Sequence, residues 1–324
     1  LTRSSAASDV YKRQFNTFVR VKLARYLYKN QISFGQVIND GIYDLSDESD
    51  NIISFLQKSH THSLKDKKKK EIIKLEDVKI LAPFSKINSL RDAYAFREHV
   101  ETCRRNRGAE MVKEFDEFPV FYFSNHNSIL GHLDEVECMP EHLNKLDYEL
   151  EIAIVICKEG KNIKAENARE FIGGFTIYND ISARKIQSSE MKLNLGPAKG
   201  KDFANIFGPF VVTRDEIYEN EISNGKIDLE MKCKINNELY SIGNLKTMHW
   251  SFEEIIERVS YGTKIFPGDV IGSGTVGKGC LLEINGTEKR KNIEYEETWL
   301  KENDIVEMSI EKIGTLTNKI VLHK

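Results

Sequence analysis

The 324-residue chain lacks any run of about 18–20 uninterrupted apolar residues, the length that a membrane-spanning helix needs. It also lacks an excess of basic residues, because the net charge is −3 and the pI is about 6.3. Binding to nucleic acid or to a membrane is therefore not expected. Cysteines are few, odd in number and without CxxC spacing: Cys103, Cys138, Cys157, Cys233 and Cys280. Their pattern argues against a disulfide framework or a zinc knuckle and predicts a reducing, cytoplasmic location.

What is present is typical of a globular protein with a packed core, since 40% of the residues are apolar and 30% are charged. The length allows one large domain, or a large domain with a small appendage. Residues 1–14 (LTRSSAASDVYKRQ) follow no apolar period and contain no apolar core of a secretory signal. We expect this segment to be a non-native or disordered leader.

Two further units are predicted after the leader. Residues 15–70 read as a small N-terminal module of short strands, with a helix at Asp47–Gln57. The lysine-rich run Lys65–Lys70 is interpreted as a solvated linker rather than a nucleic-acid patch. The neighbouring His60 and His62 are interpreted as exposed loop residues rather than metal ligands.

The third unit, residues 75–324, is predicted to be the main domain and to consist mostly of strands. Short β-branched segments bounded by Gly, Asn or Asp predict strands at Glu149–Cys157, Gly174–Tyr178, Phe210–Thr213, Ile227–Ile235 and Val306–Ile310. Apolar spacing predicts helices at Glu166–Phe171, Ala183–Glu190 and Phe252–Ser260. The expected fold class is α+β, mainly β.

Two glycine-rich segments resemble nucleotide-binding loops and are rejected. GSGTVG at residues 272–277 has GxGxxG spacing, but the dinucleotide fingerprint needs a helix directly after it, and Cys280–Asn285 is predicted to be a strand. GPAKGK at residues 196–201 has three residues between its glycines where a phosphate-binding loop has four. Asp202 also stands where that loop needs a hydroxyl residue.

Glu149 and Glu151 form an ExE pair in the predicted strand ELEIAIVIC. Residues i and i+2 of a strand share a face, so both carboxylates point the same way. Alone, such a pair is more often part of a solvated sheet face. Here Ala153, Val155 and Cys157 continue the same face with apolar side chains, which predicts at least partial burial. Buried carboxylates need a counter-ion, and a hard divalent cation suits their oxygen atoms.

Two more acidic residues are ambiguous by themselves. Asp180 ends a predicted strand where a helix begins, a position at which a helix N-cap is commoner than a metal ligand. Asp92 precedes His99 by seven residues in RDAYAFREHV, which would place both on one face if the segment were helical. That pattern alone is an ordinary amphipathic segment.

Four segments together resemble the fumarylacetoacetase superfamily: RDAYAFREHV (91–100), LDYELEIAIVI (146–156), YNDISARKIQ with GPAKGKDF (178–203), and FPGDVIGSGT with GCLLEING (266–286). The resemblance spans about residues 75–322, in the family's order. It implies a mixed β-roll or sandwich catalytic domain at residues 75–324 and a homodimer. It also implies a site for Mg²⁺, or for Ca²⁺ or Mn²⁺, made by Asp92, Glu149, Glu151 and Asp180.

The resemblance also implies roles for other side chains. His99 corresponds to the base, oriented by Glu283. Negative charge on the substrate would be stabilised by Arg184, Gln187 and Lys201, and substrate would be contacted by Tyr94 and Thr275. This sequence departs from fumarylacetoacetase at Met191, where that enzyme has a substrate-contacting tyrosine, and at Lys185, where it has an acidic residue. Fumarylacetoacetate is therefore a doubtful substrate.

Three functions remain open on the sequence alone. The leading hypothesis is metal-dependent hydrolysis of a C–C bond in a 1,3-dicarbonyl acid, such as an acylpyruvate, with water activated by His99 and Glu283. The alternative is a decarboxylase or tautomerase of a 2-oxo acid, which needs no water nucleophile. The third is a non-catalytic protein that binds acidic metabolites, which would predict a missing ligand or base. None is missing here.

Overall fold

The structure is a computed structural model that describes residues 20–58, 71–223 and 225–324. The predicted leader, the Lys65–Lys70 linker and both loop histidines, His60 and His62, lie outside these ranges. Among the described residues, no helix is long and apolar enough to cross a membrane.

The described helices and strands are short. The α-helices are α1 (Ile52–Lys58), α2 (Arg97–Asn106), α3 (Ala165–Ala168), α4 (Arg184–Glu190), α5 (Arg214–Ile217), α6 (Phe252–Ser260) and α7 (Leu281–Lys291). The strands are β1 (Lys22–Tyr28), β2 (Gln31–Ile38), β3 (Gly41–Asp44), β4 (Ile73–Lys74), β5 (Lys79–Ile80), β6 (Ser89–Ala93), β7 (Phe121–Ser124), β8 (Ile129–Leu130), β9 (Glu135–Cys138), β10 (Leu146–Asp147), β11 (Leu150–Ile156), β12 (Gly160–Lys161), β13 (Ile172–Asp180), β14 (Ser182–Ala183), β15 (Asn205–Thr213), β16 (Glu221–Ser223), β17 (Lys226–Ile227), β18 (Glu230–Ile235), β19 (Glu238–Asn244), β20 (Lys264–Ile265), β21 (Asp269–Gly272), β22 (Ile305–Ile310) and β23 (Gly314–Leu322).

Two sheets dominate the described fold. The larger has 12 strands, in the order β4-β3-β2-β1-β15-β13-β11-β21-β6-β7, with β5 and β8 pairing beside β1 and β15. The smaller has five strands, in the order β19-β18-β22-β23-β9. Most pairs are antiparallel, whereas β21 runs parallel to β6 and β9 parallel to β23. The predicted α+β class, mainly β, is confirmed.

The central strand β11 separates two cores, and every one of its residues is buried. Leu150, Ile152 and Ile154 pack into a large core with the helices and the smaller sheet. Ala153 and Val155 point the other way, into a second core. The alternation read from the sequence is therefore confirmed, and Glu149 and Glu151 begin the face that leads into the second core.

The N-terminal residues cover that second core. Strands β1, β2 and β3 extend the large sheet, because β1 pairs with β15 at Lys22–Val212 and Leu23–Val211. Phe34, Phe55 and Leu56 pack against Val155 and its neighbours. The N-terminal strands thus share both sheet and core with the larger part of the chain, and they bury the sheet face that carries the acidic pair.

Most predicted elements of the larger domain are present, with three differences. The strand predicted at Ile227–Ile235 is interrupted and becomes β17 and β18. Cys280–Asn285 is not a strand, because Leu281–Lys291 forms helix α7. Asp92 and His99 do not share a helix, since Asp92 lies on β6 and His99 on α2.

Helix α6 begins with a capping box that provides a stability prediction. The Ser251 hydroxyl accepts a hydrogen bond from the Glu254 N–H at 3.3 Å, and the Glu254 carboxylate accepts one from the Ser251 N–H at 2.8 Å. We expect Ser251→Ala to lower the free energy of unfolding by about 1 kcal/mol, because two N–H groups lose this arrangement. Urea denaturation measures it, with the exposed Ser223→Ala as control. Equal values for the two variants would contradict a stabilising cap.

Candidate metal and catalytic site

Four carboxylates converge where neighbouring strands of the large sheet end. Asp92 lies on β6, Glu151 on β11 and Asp180 on the last residue of β13, while Glu149 directly precedes β11. One oxygen from each lies within 4.8 Å of one from every other. All four are buried, at 6% exposed or less. The structure thus brings together the complete ligand set that the family resemblance implies.

The cluster holds more negative charge than a buried site tolerates. Burial and the nearby Asp180 raise the pKa of Asp92 to about 7. Burial and Asp92 raise the pKa of Glu151 well above its usual range. In contrast, although burial opposes it, Arg184 and Lys201 lower the pKa of Glu149. Without a further cation, the four groups therefore cannot all be ionised at neutral pH.

Two buried cations contact part of the cluster. The Lys201 ammonium forms ion pairs with Glu149 and Asp180. The Arg184 guanidinium lies 2.7 Å from Glu149 Oε1 and donates to Gln187 Oε1 at 3.1 Å. These cations contact only Glu149 and Asp180, which leaves the other two carboxylates unpaired with any base.

The candidate base lies beside the carboxylates. His99 Nδ1 is 2.7 Å from Glu283 Oε2, and both side chains are buried. Glu283 Oε2 also accepts a hydrogen bond from the Lys278 N–H at 2.9 Å. Burial lowers the pKa of His99, but interactions with Cys280 and Glu283 outweigh it and raise that pKa to about 10. The bond through Nδ1 leaves Nε2 as the nitrogen that can exchange a proton with a substrate.

The glycine-rich loop faces carboxylates, not a phosphate. The Gly274 N–H lies 3.1 Å from Asp92 Oδ1 and 3.0 Å from Glu151 Oε2, so the two acids share it. A Cβ on Gly272 would lie 2.5 Å from Asp92 Oδ1, so only glycine allows this approach. The hydroxyl of Thr275 is 3.4 Å from Glu151 Oε1, which places it at the cluster.

Rejection of a dinucleotide site stands, but for a different reason. A helix does follow the glycines, contrary to the sequence prediction. Its N-terminus is filled by the Asp147 carboxylate, which accepts hydrogen bonds from the N–H groups of Leu281 at 2.7 Å and Leu282 at 3.0 Å. A pyrophosphate would need those donors.

The predicted substrate contacts lie at different distances from the cluster. The Tyr94 ring packs edge-on against His99, with centroids 5.8 Å apart. Met191 lies in a turn after α4, and its side chain is 47% exposed, with Lys185 exposed on the same helix. The two departures from fumarylacetoacetase therefore fall on an accessible segment, away from the buried carboxylates.

Sequence reasoning missed two residues that contact the site. Tyr122, on β7, donates a hydrogen bond to Asp180 Oδ2 at 2.6 Å. Asp147 accepts one from Arg184 Nε at 2.8 Å. The segment LDYELE carries a weak signal for Asp147, because a third acid precedes the ExE pair. No local pattern identifies Tyr122, since its contact depends on the pairing of β6 with β7.

The donor set fits a hard divalent cation. All four candidate ligands offer carboxylate oxygens, and Asp180 Oδ1 is buried with no hydrogen-bond partner among the described residues. Oxygen-only ligation suits Mg²⁺, Ca²⁺ or Mn²⁺ rather than a thiophilic metal. A dication would also balance the excess negative charge.

Comparison with known proteins places this site in a family. Residues 88–321 match the family model described as the C-terminal part of fumarylacetoacetate (FAA) hydrolase. The chain belongs to the fumarylacetoacetate hydrolase family. The recognition made from the sequence is therefore confirmed, and the chain is an enzyme of this superfamily.

Two curated relatives are similar to the chain over most of its length. Oxaloacetate tautomerase YisK of Bacillus subtilis is 32% identical over 253 residues, covering 76% of this chain and 74% of the relative. The human mitochondrial oxaloacetate tautomerase FAHD2A is 30% identical over 251 residues, covering 77% and 72%. A solved fumarylacetoacetate hydrolase from Exiguobacterium antarcticum has a TM-score of 0.73 at 24% identity, covering 94% of this chain and 100% of that chain. At that identity, the structural match shows the fold alone.

Proposed function

We propose that this enzyme catalyses keto–enol tautomerisation of a 2-oxo dicarboxylic acid of the oxaloacetate type. The observation that carries the proposal is a proton-transfer pair, His99 and Glu283, placed beside a buried carboxylate cation site. Tautomerisation moves one proton between the carbon next to a carbonyl and the carbonyl oxygen. It consumes no water and releases no fragment, so the atoms balance without a co-substrate.

The side chains divide the work as follows. Asp92, Glu149, Glu151 and Asp180 would hold the divalent cation, which supplies Lewis-acid polarisation of a substrate oxygen. His99 Nε2 would remove the carbon-bound proton, or return it in the opposite direction, while Glu283 holds the ring through Nδ1. The Arg184 and Lys201 cations, both buried, would stabilise negative charge on the substrate oxygens. Gln187 would orient Arg184, and Tyr94 and Thr275 would contact the substrate.

The relatives separate this proposal from the hydrolysis that the sequence favoured. The printed activity of the curated relatives YisK and FAHD2A is oxaloacetate tautomerisation. Hydrolysis of a C–C bond in an acylpyruvate is the second candidate, because the same His99–Glu283 pair suits activation of water. Decarboxylation of a 2-oxo acid would use the same cation.

A single substrate panel tests the three reactions. We expect the enzyme with Mg²⁺ or Mn²⁺ to accelerate loss of the enol absorbance of oxaloacetate without any change of mass, and a chelator to remove that acceleration. Release of pyruvate and a carboxylic acid from an acylpyruvate would instead establish the hydrolase. Carbon dioxide from oxaloacetate would establish the decarboxylase.

A substitution at His99 tests the assigned proton carrier. We expect His99→Gln to reduce tautomerisation about 100-fold, because glutamine still bonds Glu283 but cannot exchange a proton. Steady-state kinetics measures the loss. His142→Gln is the control, since His142 is also buried but stacks on Phe203 instead. An unchanged rate in His99→Gln would show that another group carries the proton.

A further inference from the structure

A second cluster of metal-ligating side chains lies beside the carboxylates, and its donors are of another kind. His99, Cys103 and Glu283 are all buried, and one donor atom of each lies within 4.8 Å of the others. Cys280 joins them, because it lies within the same distance of His99 and of Glu149. This nitrogen–sulfur–oxygen cluster differs from the all-oxygen set of the proposed Mg²⁺ site.

Two helices bring these donors together. His99 and Cys103 are four residues apart on α2, so they lie on the same face. Glu283 lies in the first turn of α7. Asn106 connects the helices by donating to the Glu283 carbonyl at 3.1 Å, and a Cβ on Gly286 would lie 2.6 Å from Asn106 Nδ2. The close approach depends on that glycine, and it fixes the donors before any ion binds.

One atom of the cluster is left without a partner. Glu283 is 1% exposed, and its Oε1 has no hydrogen-bond partner among the described residues. An unpartnered buried carboxylate oxygen is costly, and a metal ion is one way to satisfy it. His99 Nδ1 and Cys103 Sγ are 3.9 Å apart. Tetrahedral zinc, with bonds of about 2.1 Å to nitrogen and about 2.3 Å to sulfur, would separate them by roughly 3.6 Å.

We propose that His99, Cys103 and Glu283 form an inhibitory site for a thiophilic divalent cation of the Zn²⁺ type. The ion would replace the proton between His99 Nδ1 and Glu283 and the thiol proton of Cys103. Two protons leave as one dication enters, so the net charge of this buried site does not change. Zinc prefers exactly such imidazole and thiolate donors, whereas Mg²⁺ does not.

Occupation would stop the reaction by removing the base. His99 held by zinc can no longer keep the geometry in which Glu283 orients it for proton exchange. The route that admits substrate to Glu149 also reaches this cluster, because Glu149, His99 and Cys280 lie within 4.8 Å of one another. Regulation by zinc goes beyond the proposed tautomerase activity, and the metal-binding part of the test does not depend on that activity.

The test uses the full-length enzyme kept in excess Mg²⁺, with Co²⁺ as a spectroscopic probe and Zn²⁺ as the inhibitor. We expect wild type to bind Co²⁺ with a thiolate-to-cobalt charge-transfer absorption that Zn²⁺ abolishes. Cys103→Ser should lack this absorption and need at least about tenfold more Zn²⁺ for half inhibition. Cys138→Ser, at a buried thiol on β9 outside the cluster, should behave as wild type.

Three results would overturn the proposal. One is absence of the thiolate absorption in folded wild type, which does not depend on any variant or on the reaction catalysed. Another is equal zinc sensitivity of Cys103→Ser and wild type, with circular dichroism showing that both are folded. The third is complete relief of inhibition by additional Mg²⁺, which would mean that zinc acts at the four carboxylates.

Discussion

Replacing Glu151 with glutamine is expected to lower the metal-dependent rate by about 1000-fold while leaving the metal-free protein at least as stable as wild type. The rate falls because one of four ligands loses its charge, which removes about 4 kcal/mol of transition-state stabilisation. Stability is kept because the Glu151 side chain is fully buried among like charges, and a neutral amide relieves that repulsion. Glutamine can still accept from the Gly274 N–H and donate to the Thr275 hydroxyl.

Thermal unfolding with and without Mg²⁺ measures both effects. Wild type should gain stability on adding Mg²⁺, since the ion binds only the folded chain, and Glu151→Gln should not. Glu135→Gln is the matched control, because Glu135 belongs to another ExE pair on a strand but is exposed. If Glu151→Gln retained the Mg²⁺-dependent stabilisation, the assigned ligand set would be wrong.

The two ExE pairs explain why the site could be predicted only in part. Glu135 and Glu137 on β9 have the same spacing as Glu149 and Glu151, yet both are exposed. What separates the pairs is the apolar continuation of the strand after Glu151, and that was readable. Burial of β11 on both faces followed from it, and the structure confirms this.

The other members of the cluster could not be found by periodicity. Asp92 reaches the site because β6 pairs in parallel with β21, which places Asp92 opposite Gly272. That register joins segments about 180 residues apart in the chain, and it leaves no local pattern. Only the family resemblance assigned Asp92, His99 and Glu283 in advance.

The helix at Leu281–Lys291 was misread because its segment begins with CLLEIN, a short apolar run that fits a strand as well as a buried helix. Its N-cap, Cys280, makes no side-chain capping bond, so the usual start signal is absent. The cap comes instead from Asp147, more than 130 residues away. A local sequence pattern cannot reveal a cap supplied by a distant strand.

Asp147→Ala is expected to lower the free energy of unfolding by about 3–5 kcal/mol, the usual cost of breaking a buried ion pair. Asp147 is fully buried and lies 2.7 Å from the Arg184 guanidinium, which is itself buried. Removal would leave the Arg184 charge with Glu149 as its remaining carboxylate partner. It would also leave the N–H groups of Leu281 and Leu282 without their acceptor.

Chemical denaturation with linear extrapolation measures this loss. Glu170→Ala is the control, because Glu170 also pairs with a base, Lys158, but both side chains are at least half exposed. Such an exposed pair contributes only about 0–1 kcal/mol. Equal losses for the two variants would mean that the desolvation cost of the Asp147–Arg184 pair cancels its attraction.

Asp147→Asn separates the two roles of this carboxylate. The amide oxygen can still accept a hydrogen bond from the start of α7, but it no longer pairs with the charge of Arg184. We therefore expect a loss between those of wild type and Asp147→Ala. If Asn restored full stability, capping of α7 would account for the whole effect. If Asn were as unstable as Ala, the ion pair with Arg184 would account for it, and the helix that carries Glu283 would not depend on the cap.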